Sequence, residues 1–199
     1  MIKTIFFDIG GVLLNIYPDR TIRYISDITN LSEKEIQNAF PEEAHKKYEC
    51  GEISCSEFYD AVENNLPALK SISEEQFWNA WSLLVGEETE VVGIMNKLTS
   101  MYPVWLLSNT NPYHIIEEER FKLFDKIMGG IYSFEVGCRK PGENIYLKAL
   151  ETAETSAKES LFIDDIIENV ETARSLNMNA IHFKTIEDFT EQLGKFIEL

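Results

Sequence analysis

The chain has 199 residues, of which 44% are hydrophobic, and a formal charge of −16. That suffices for one good core, or for a core with a small insert. It excludes a nucleic-acid interface, which needs a basic stripe, and no window approaches the roughly 20 apolar residues of a membrane span.

Residues 2–8 read as a buried strand, Ile5-Phe6-Phe7, that ends on Asp8 and turns at once on Gly10 and Gly11. Lys3 and Asp8 interrupt the apolar stretch after Met1, so it is not read as a signal peptide and the protein is expected to be cytoplasmic. From about 16 to 100 the pattern is helical, with no strand expected. Ser32…Glu35, Ser54…Glu57 and Ser73…Gln76 have the spacing of capping boxes, in which each serine satisfies amides at a helix start. Pro41 suits the first position of a further helix. Ile22, Ile25 and Ile28, and later Phe77, Trp81 and Leu84, recur at helical spacing. Cys50, Cys55 and Cys138 lack metal-ligand spacing and read as reduced thiols.

After residue 100 strands and helices alternate. Strands are predicted at 103–107, 130–134, 160–163 and 179–183, and helices at 113–123, 143–153, 167–176 and 186–197. Strands separated by helices imply an α/β fold with a doubly wound parallel sheet. The first strand must join that sheet, so residues 1–15 and 96–199 form a split core and 16–95 an inserted helical cap.

Four polar groups fall at the strand ends of this scheme, the edge where open α/β sheets bind ligands. Asp8 closes the first strand. Ser108 and Asn109 follow Trp105-Leu106-Leu107, and a hydroxyl with amides near a helix start suits phosphate oxygens. Lys140, between Arg139 and Pro141, can supply a cation to Asp8 and to a phosphate if its loop folds back. Asp164-Asp165 ends Leu161-Phe162-Ile163; adjacent carboxylates repel unless a cation lies beside them, and an all-oxygen ligand set favours Mg²⁺. Asn169 is placed to brace this loop. His45, His114 and His182 stand in unrelated contexts, so no serine–histidine relay is read.

In this order and spacing, Phe-Asp8-x-Gly-Gly-Val, Leu-Ser108-Asn, Lys140-Pro and Phe-Ile-Asp164-Asp165 resemble the four motifs of the haloacid dehalogenase-like (HAD) hydrolase superfamily. The resemblance covers the whole chain, cap included. It is nearest the helical-cap branch of bacterial sugar-phosphate (α-D-glucose-1-phosphate) phosphatases, and extends to the phosphatase domain of soluble epoxide hydrolase. The resemblance implies a Mg²⁺-dependent phosphatase with Rossmann-like core, acting on a small phosphorylated metabolite. Asp8 would attack phosphorus and become an aspartyl phosphate. Asp8, the Gly10 carbonyl and Asp165 would hold the metal, with Asp164 assisting. Ser108, Asn109 and Lys140 would bind the phosphoryl group, Ser108 and Lys140 also serving catalysis.

The chain departs from the family pattern at Gly10, where most of these phosphatases carry an aspartate as general acid and base. General acid–base help is typically worth 10²–10⁴-fold, so the alternative is a slow or non-catalytic scaffold that binds a phosphorylated ligand or protein. A 2-haloacid dehalogenase is disfavoured by the Asp164-Asp165 pair, which would repel its anionic substrate. Arg20, Tyr48, Trp78 and Trp81 are cap candidates for specificity, together with Asn15 to Arg20 and the Glu49–Ser54 turn.

Overall fold

The computed structural model describes residues 1–67, 70–118 and 126–197. Strand β1 (Thr4–Phe7) is buried at every position, which requires neighbours on both edges and layers on both faces. It lies at the centre of a five-stranded sheet with β4 (Val104–Ser108), β5 (Gly129–Tyr132), β6 (Ser160–Asp164) and β7 (Asn179–His182), in the order β5-β4-β1-β6-β7. All of these pairs are parallel.

Side chains alternate between the two faces, as the period of two demands. Ile5, Phe7, Leu106, Leu161 and Ile163 pack under α6 (Val91–Leu98) and α11 (Ile186–Leu193) through Val91, Met95, Leu98, Phe189 and Leu193. Phe6, Leu107 and Phe162 face the other way, against Ile145, Tyr146 and Ala149 of α9 (Glu143–Thr152) and Val170 and Ala173 of α10 (Ile167–Ser175). The α/β reading therefore holds.

The helical insert comprises α1 (Pro18–Thr29), α2 (Glu33–Ala39), α3 (Glu42–Glu49), α4 (Cys55–Asn65) and α5 (Glu74–Ser82). Its apolar residues form a cluster of their own, built on Ile25, Tyr48, Phe58, Phe77 and Trp81. All three expected capping boxes are present, at α2, α4 and α5. Pro41 stands at the N-cap of α3, one position earlier than expected.

Between insert and core runs a ribbon that the sequence reading missed. Strands β2 (Leu14–Ile16) and β3 (Val85–Glu88) pair antiparallel, with Leu14 opposite Glu88 and Ile16 opposite Val85. At three and four residues, neither is long enough for alternation to show. Because α6 packs into the sheet layer, we propose that the insert ends at this ribbon, before residue 95.

Smaller differences are local. The segment expected as strand 130–134 turns after Tyr132 into α8 (Ser133–Val136). The helix expected at 113–123 is α7 (Pro112–Glu118), and 119–123 lie outside the described residues. The last helix ends at Leu193. Among the described residues no helix is long and apolar enough to cross a membrane.

Candidate active site

Sheet register builds the floor of the site. Phe7 lies opposite both Leu106 and Ile163, so the next residues, Asp8, Leu107 and Asp164, form a row at the carboxyl edge. Lys140 arrives on the loop after α8 and lays its ammonium across that row. Its Nζ is 2.8 Å from the Leu107 carbonyl, 2.8 Å from Asp8 Oδ1 and 2.6 Å from Asp164 Oδ2. Burial opposes the ammonium, but Asp8 and Asp164 outweigh it and hold its pKa above the ordinary lysine value.

Asn109 anchors this loop. Its Oδ1 accepts from the Lys140 N–H at 2.8 Å, and its Nδ2 donates to the Lys140 carbonyl at 2.9 Å. The side chain expected to meet substrate is therefore engaged by the lysine's backbone. Ser133, buried at the start of α8, holds the neighbouring turn by accepting from Thr110 N–H (3.0 Å) and donating to its carbonyl (3.1 Å). A lone serine after a strand offered no signal for this role.

The adjacent carboxylates have different surroundings. Asp164 is fully buried and saturated: the Asn169 amide donates to both oxygens at 3.0 Å, and Ile166 N–H donates to Oδ1 at 2.8 Å. Tyr146, from α9, donates to the Asn169 carbonyl at 3.0 Å and so props this bracket. Asp165, by contrast, keeps a buried Oδ1 with no hydrogen-bond partner. Gly11 explains how it fits. Its φ of 78° suits glycine, and a β-carbon there would overlap the Asp165 carboxylate.

Oxygens of Asp8, Asp164 and Asp165 lie within 4.8 Å of one another. Lys140 offsets only one of three potential negative charges. Burial, opposed by Lys140 and reinforced by Asp164 and Asp165, pushes Asp8 up to about 7. Burial and then Asp164 raise Asp165 as well. Both shifts come first from burial, and the neighbouring carboxylates add to them. With the orphaned Asp165 oxygen and an all-oxygen donor set, a hard divalent cation fits here.

Above this floor is a pocket of about 300 Å³. Asp8, Gly10, Ser108, Asn109, Lys140 and Asp165 all line it, so the candidates do converge on one hollow. Ser108 Oγ has only a long 3.5 Å contact to the Asn109 carbonyl and is available to an anion; the Thr110 hydroxyl is buried and has no partner. The cap contributes His45 and Glu49 from α3, and Arg139 Nε ion-pairs with Glu49 Oε2 at 2.8 Å, joining core loop to cap. Of the other cap candidates, Tyr48 and Trp81 are buried in the cap cluster, Trp78 is packed against it, and Arg20 lies exposed over the Tyr17 ring.

The histidine reading needs correction, because His45 and His114 both line this pocket. They come from a cap helix and a core helix, a convergence that sequence distance hides. His114 is held on both nitrogens, Nδ1 by the Asn111 amide at 3.1 Å and Nε2 by the Trp81 carbonyl at 3.3 Å. An amide NH₂ only donates and a carbonyl only accepts, so the ring is the neutral Nε2–H tautomer. Burial pushes its pKa down to about 4. Below the ordinary value of 6.5, the unfolded chain binds a proton that the folded chain refuses. This share of stability is present above that value and is lost as pH falls from 6.5 toward 4, by about 3 kcal/mol at most. Melting temperatures across this range should fall less steeply in His114→Gln than in the wild type. Parallel curves would exclude His114 as the source.

A model of the family described as haloacid dehalogenase-like hydrolase matches residues 2–177. The chain belongs to that family. A HAD-family enzyme from Bacteroides thetaiotaomicron, solved in complex with magnesium and inorganic phosphate, superposes with a TM-score of 0.81 at 29% identity, covering 96% of this chain and 99% of that one. A sesquiterpene phosphatase from Aspergillus oryzae is 26% identical, over 99% of this chain and 94% of its own length. A D-ribitol-5-phosphate phosphatase from Bacteroides thetaiotaomicron is 24% identical, over 97% of both. In this HAD-like hydrolase the four motif residues Asp8, Ser108, Lys140 and Asp165 all face the pocket.

Proposed function

We propose that the protein is a Mg²⁺-dependent phosphatase of small phosphomonoesters that works through an aspartyl phosphate on Asp8. The observation that carries this reading is the buried Lys140 bridging Asp8 and Asp164, with the partnerless Asp165 oxygen beside them. Relatives named as phosphatases, and one solved with magnesium and inorganic phosphate, support it.

In this mechanism Lys140 holds Asp8 Oδ1, leaving the other carboxylate oxygen to attack phosphorus as the bond to the ester oxygen breaks, and the departing alkoxide takes its proton from water, since Gly10 has none to give. Ser108 holds a transferring phosphoryl oxygen, the backbone of the Asn109 turn assisting. The Lys140 ammonium, its three N–H groups engaged by Leu107, Asp8 and Asp164, neutralises the phosphoryl group by its charge. Positioning and charge neutralisation account for most of the catalysis in such transfers. Asp8, the Gly10 carbonyl and Asp165 would hold the cation, whose charge offsets that of the phosphoryl group. Asp164 is already satisfied by Lys140 and Asn169, so we assign it to positioning the lysine rather than to the metal. Water then attacks the aspartyl phosphate, releasing phosphate and restoring the carboxylate.

Phosphate release measured with and without EDTA tests this directly. EDTA should abolish turnover, and Mg²⁺ should raise the melting temperature, since only the folded state gathers the three carboxylates. Full activity in EDTA would remove the metal from the reading and keep the phosphatase, whereas no phosphate release with or without Mg²⁺ would leave the dehalogenase to be assayed. A phosphate analogue that binds without any ester being hydrolysed would favour the scaffold. Asp165→Asn should weaken Mg²⁺ binding with little loss of stability. Asp164→Asn should instead lower stability, because it takes the charge from the lysine's shortest contact. The reverse pattern would exchange the two assignments.

The alcohol half of the substrate is a separate question. The named relatives act on chemically opposite esters, one a polyol phosphate and the other a terpenoid.

A further inference from the structure

A second hollow, of about 330 Å³, lies inside the cap. That is within the roughly 300–1,000 Å³ range of small-molecule sites, and far larger than the packing voids of a folded core. Ile25, Ile36, Val62, Leu66 and Phe77 wall it, with Gln37 and His45 as the polar side chains besides Thr21. The Thr21 hydroxyl, also on its wall, is spent on the Ala80 carbonyl at 2.9 Å. No carboxylate, lysine or arginine lines it among the described residues.

The hollow adjoins the phosphate pocket. His45 and Leu84 line both, and so form the partition between them. A phosphomonoester seated on Asp8 directs its alcohol away from the strand ends, to the side where the cap and these two side chains lie. The charges of the site stay below: Asp8, Asp165 and Lys140 on the floor, and Arg139 paired with Glu49 at the rim.

We propose that the substrate carries a hydrocarbon tail, and that this tail occupies the cap hollow while the phosphoryl group rests on Asp8 and Lys140. The proposal rests on the phosphatase reading and adds its substrate class: monophosphate esters of long-chain aliphatic or isoprenoid alcohols. It replaces the sugar phosphate expected from the sequence. A sugar would bring several hydroxyls against walls whose polar side chains, apart from the engaged Thr21, are Gln37 and His45, and most of those hydroxyls would be buried unpaired, at a cost to binding. A methylene in the same place is stabilised by about 0.8 kcal/mol on leaving water. His45 suits the partition, since burial, joined by Arg139 and opposed by Glu49, lowers its pKa and keeps the ring uncharged at neutral pH.

The test is phosphate release with Mg²⁺ from butyl, hexyl, octyl and decyl phosphate, each below its micellar concentration, beside ribitol 5-phosphate and p-nitrophenyl phosphate. Tail burial predicts that kcat/KM rises roughly tenfold for every two methylenes until the hollow is full, with ribitol 5-phosphate far below octyl phosphate. Val62→Phe and Ala39→Phe each put a ring into the hollow, and should reduce the octyl-to-butyl ratio at least tenfold. The ratio is taken within each variant, so a general loss of activity cancels, and two variants guard against one failing to fold.

A flat chain-length series with good p-nitrophenyl phosphate turnover would overturn the tail and leave the phosphatase standing. If no ester is hydrolysed, the phosphatase reading falls. Calorimetric binding of octylphosphonate against butylphosphonate then decides the hollow alone: equal affinities overturn it, and a tenfold or greater preference for octyl supports it.

Discussion

Lys140→Met is expected to reduce turnover on the order of 10²–10³-fold or more, the scale of losing one preorganised charge or donor at a reacting centre. The ammonium is not a surface charge that happens to be near. It is 1% exposed, contacts both Asp8 and Asp164, and is fixed by a third bond to the Leu107 carbonyl. Methionine matches its stem out to Cε, lacks the ammonium, and leaves two buried carboxylates without their cation. Breaking a buried pair in this way costs about 3–5 kcal/mol. For a domain of this size that lowers the melting temperature by roughly 10 °C, so the variant should still fold at room temperature. The informative readout is therefore activity on folded protein, checked by circular dichroism and a melting curve. Wild-type kcat with a lowered melting temperature would make Lys140 a structural residue and take the phosphoryl-binding role from it.

This prediction also shows what the sequence could and could not reveal. Asp8, Asp164 and the core strands were legible because buried parallel strands are short apolar runs, and each here ends on a polar residue. That Lys140 joins them was conditional, since a lysine before proline on a loop has no periodicity to locate it. The link is Asn109, whose amide brackets the Lys140 backbone from 31 residues away, and one sequence cannot display such a pairing. The different duties of Asp164 and Asp165 were equally hidden. They depend on which carboxylate faces Asn169 and which faces Gly11, a matter of loop geometry rather than residue type. The β2–β3 ribbon and the His45–His114 convergence were missed for related reasons, the one too short for its pattern and the other assembled from two separate layers.

Gly10→Asp is expected to accelerate hydrolysis of alkyl phosphates by about 10²-fold, within the range general acid–base catalysis supplies, while p-nitrophenyl phosphate gains much less. An alkoxide is a poor leaving group and needs a proton as the bond to phosphorus breaks, whereas nitrophenolate departs without one. The backbone allows the change. The left-handed residue of this turn is Gly11, and Gly10 is not among the positive-φ glycines. A β-carbon on Gly10 would meet only the Ile16 side chain, at 3.2 and 3.3 Å, which must shift by a few tenths of an ångström. Ile16→Ala removes both of those atoms, so the pair Gly10→Asp with Ile16→Ala controls for crowding. Melting temperature is measured in each variant alongside the rates for both ester classes. Suppose Gly10→Asp folds normally and leaves the alkyl-to-aryl ratio unchanged. Then proton transfer to the leaving oxygen does not limit the reaction, since the cap ring on this pocket, His45, is held uncharged by its burial and has no acidic proton to give.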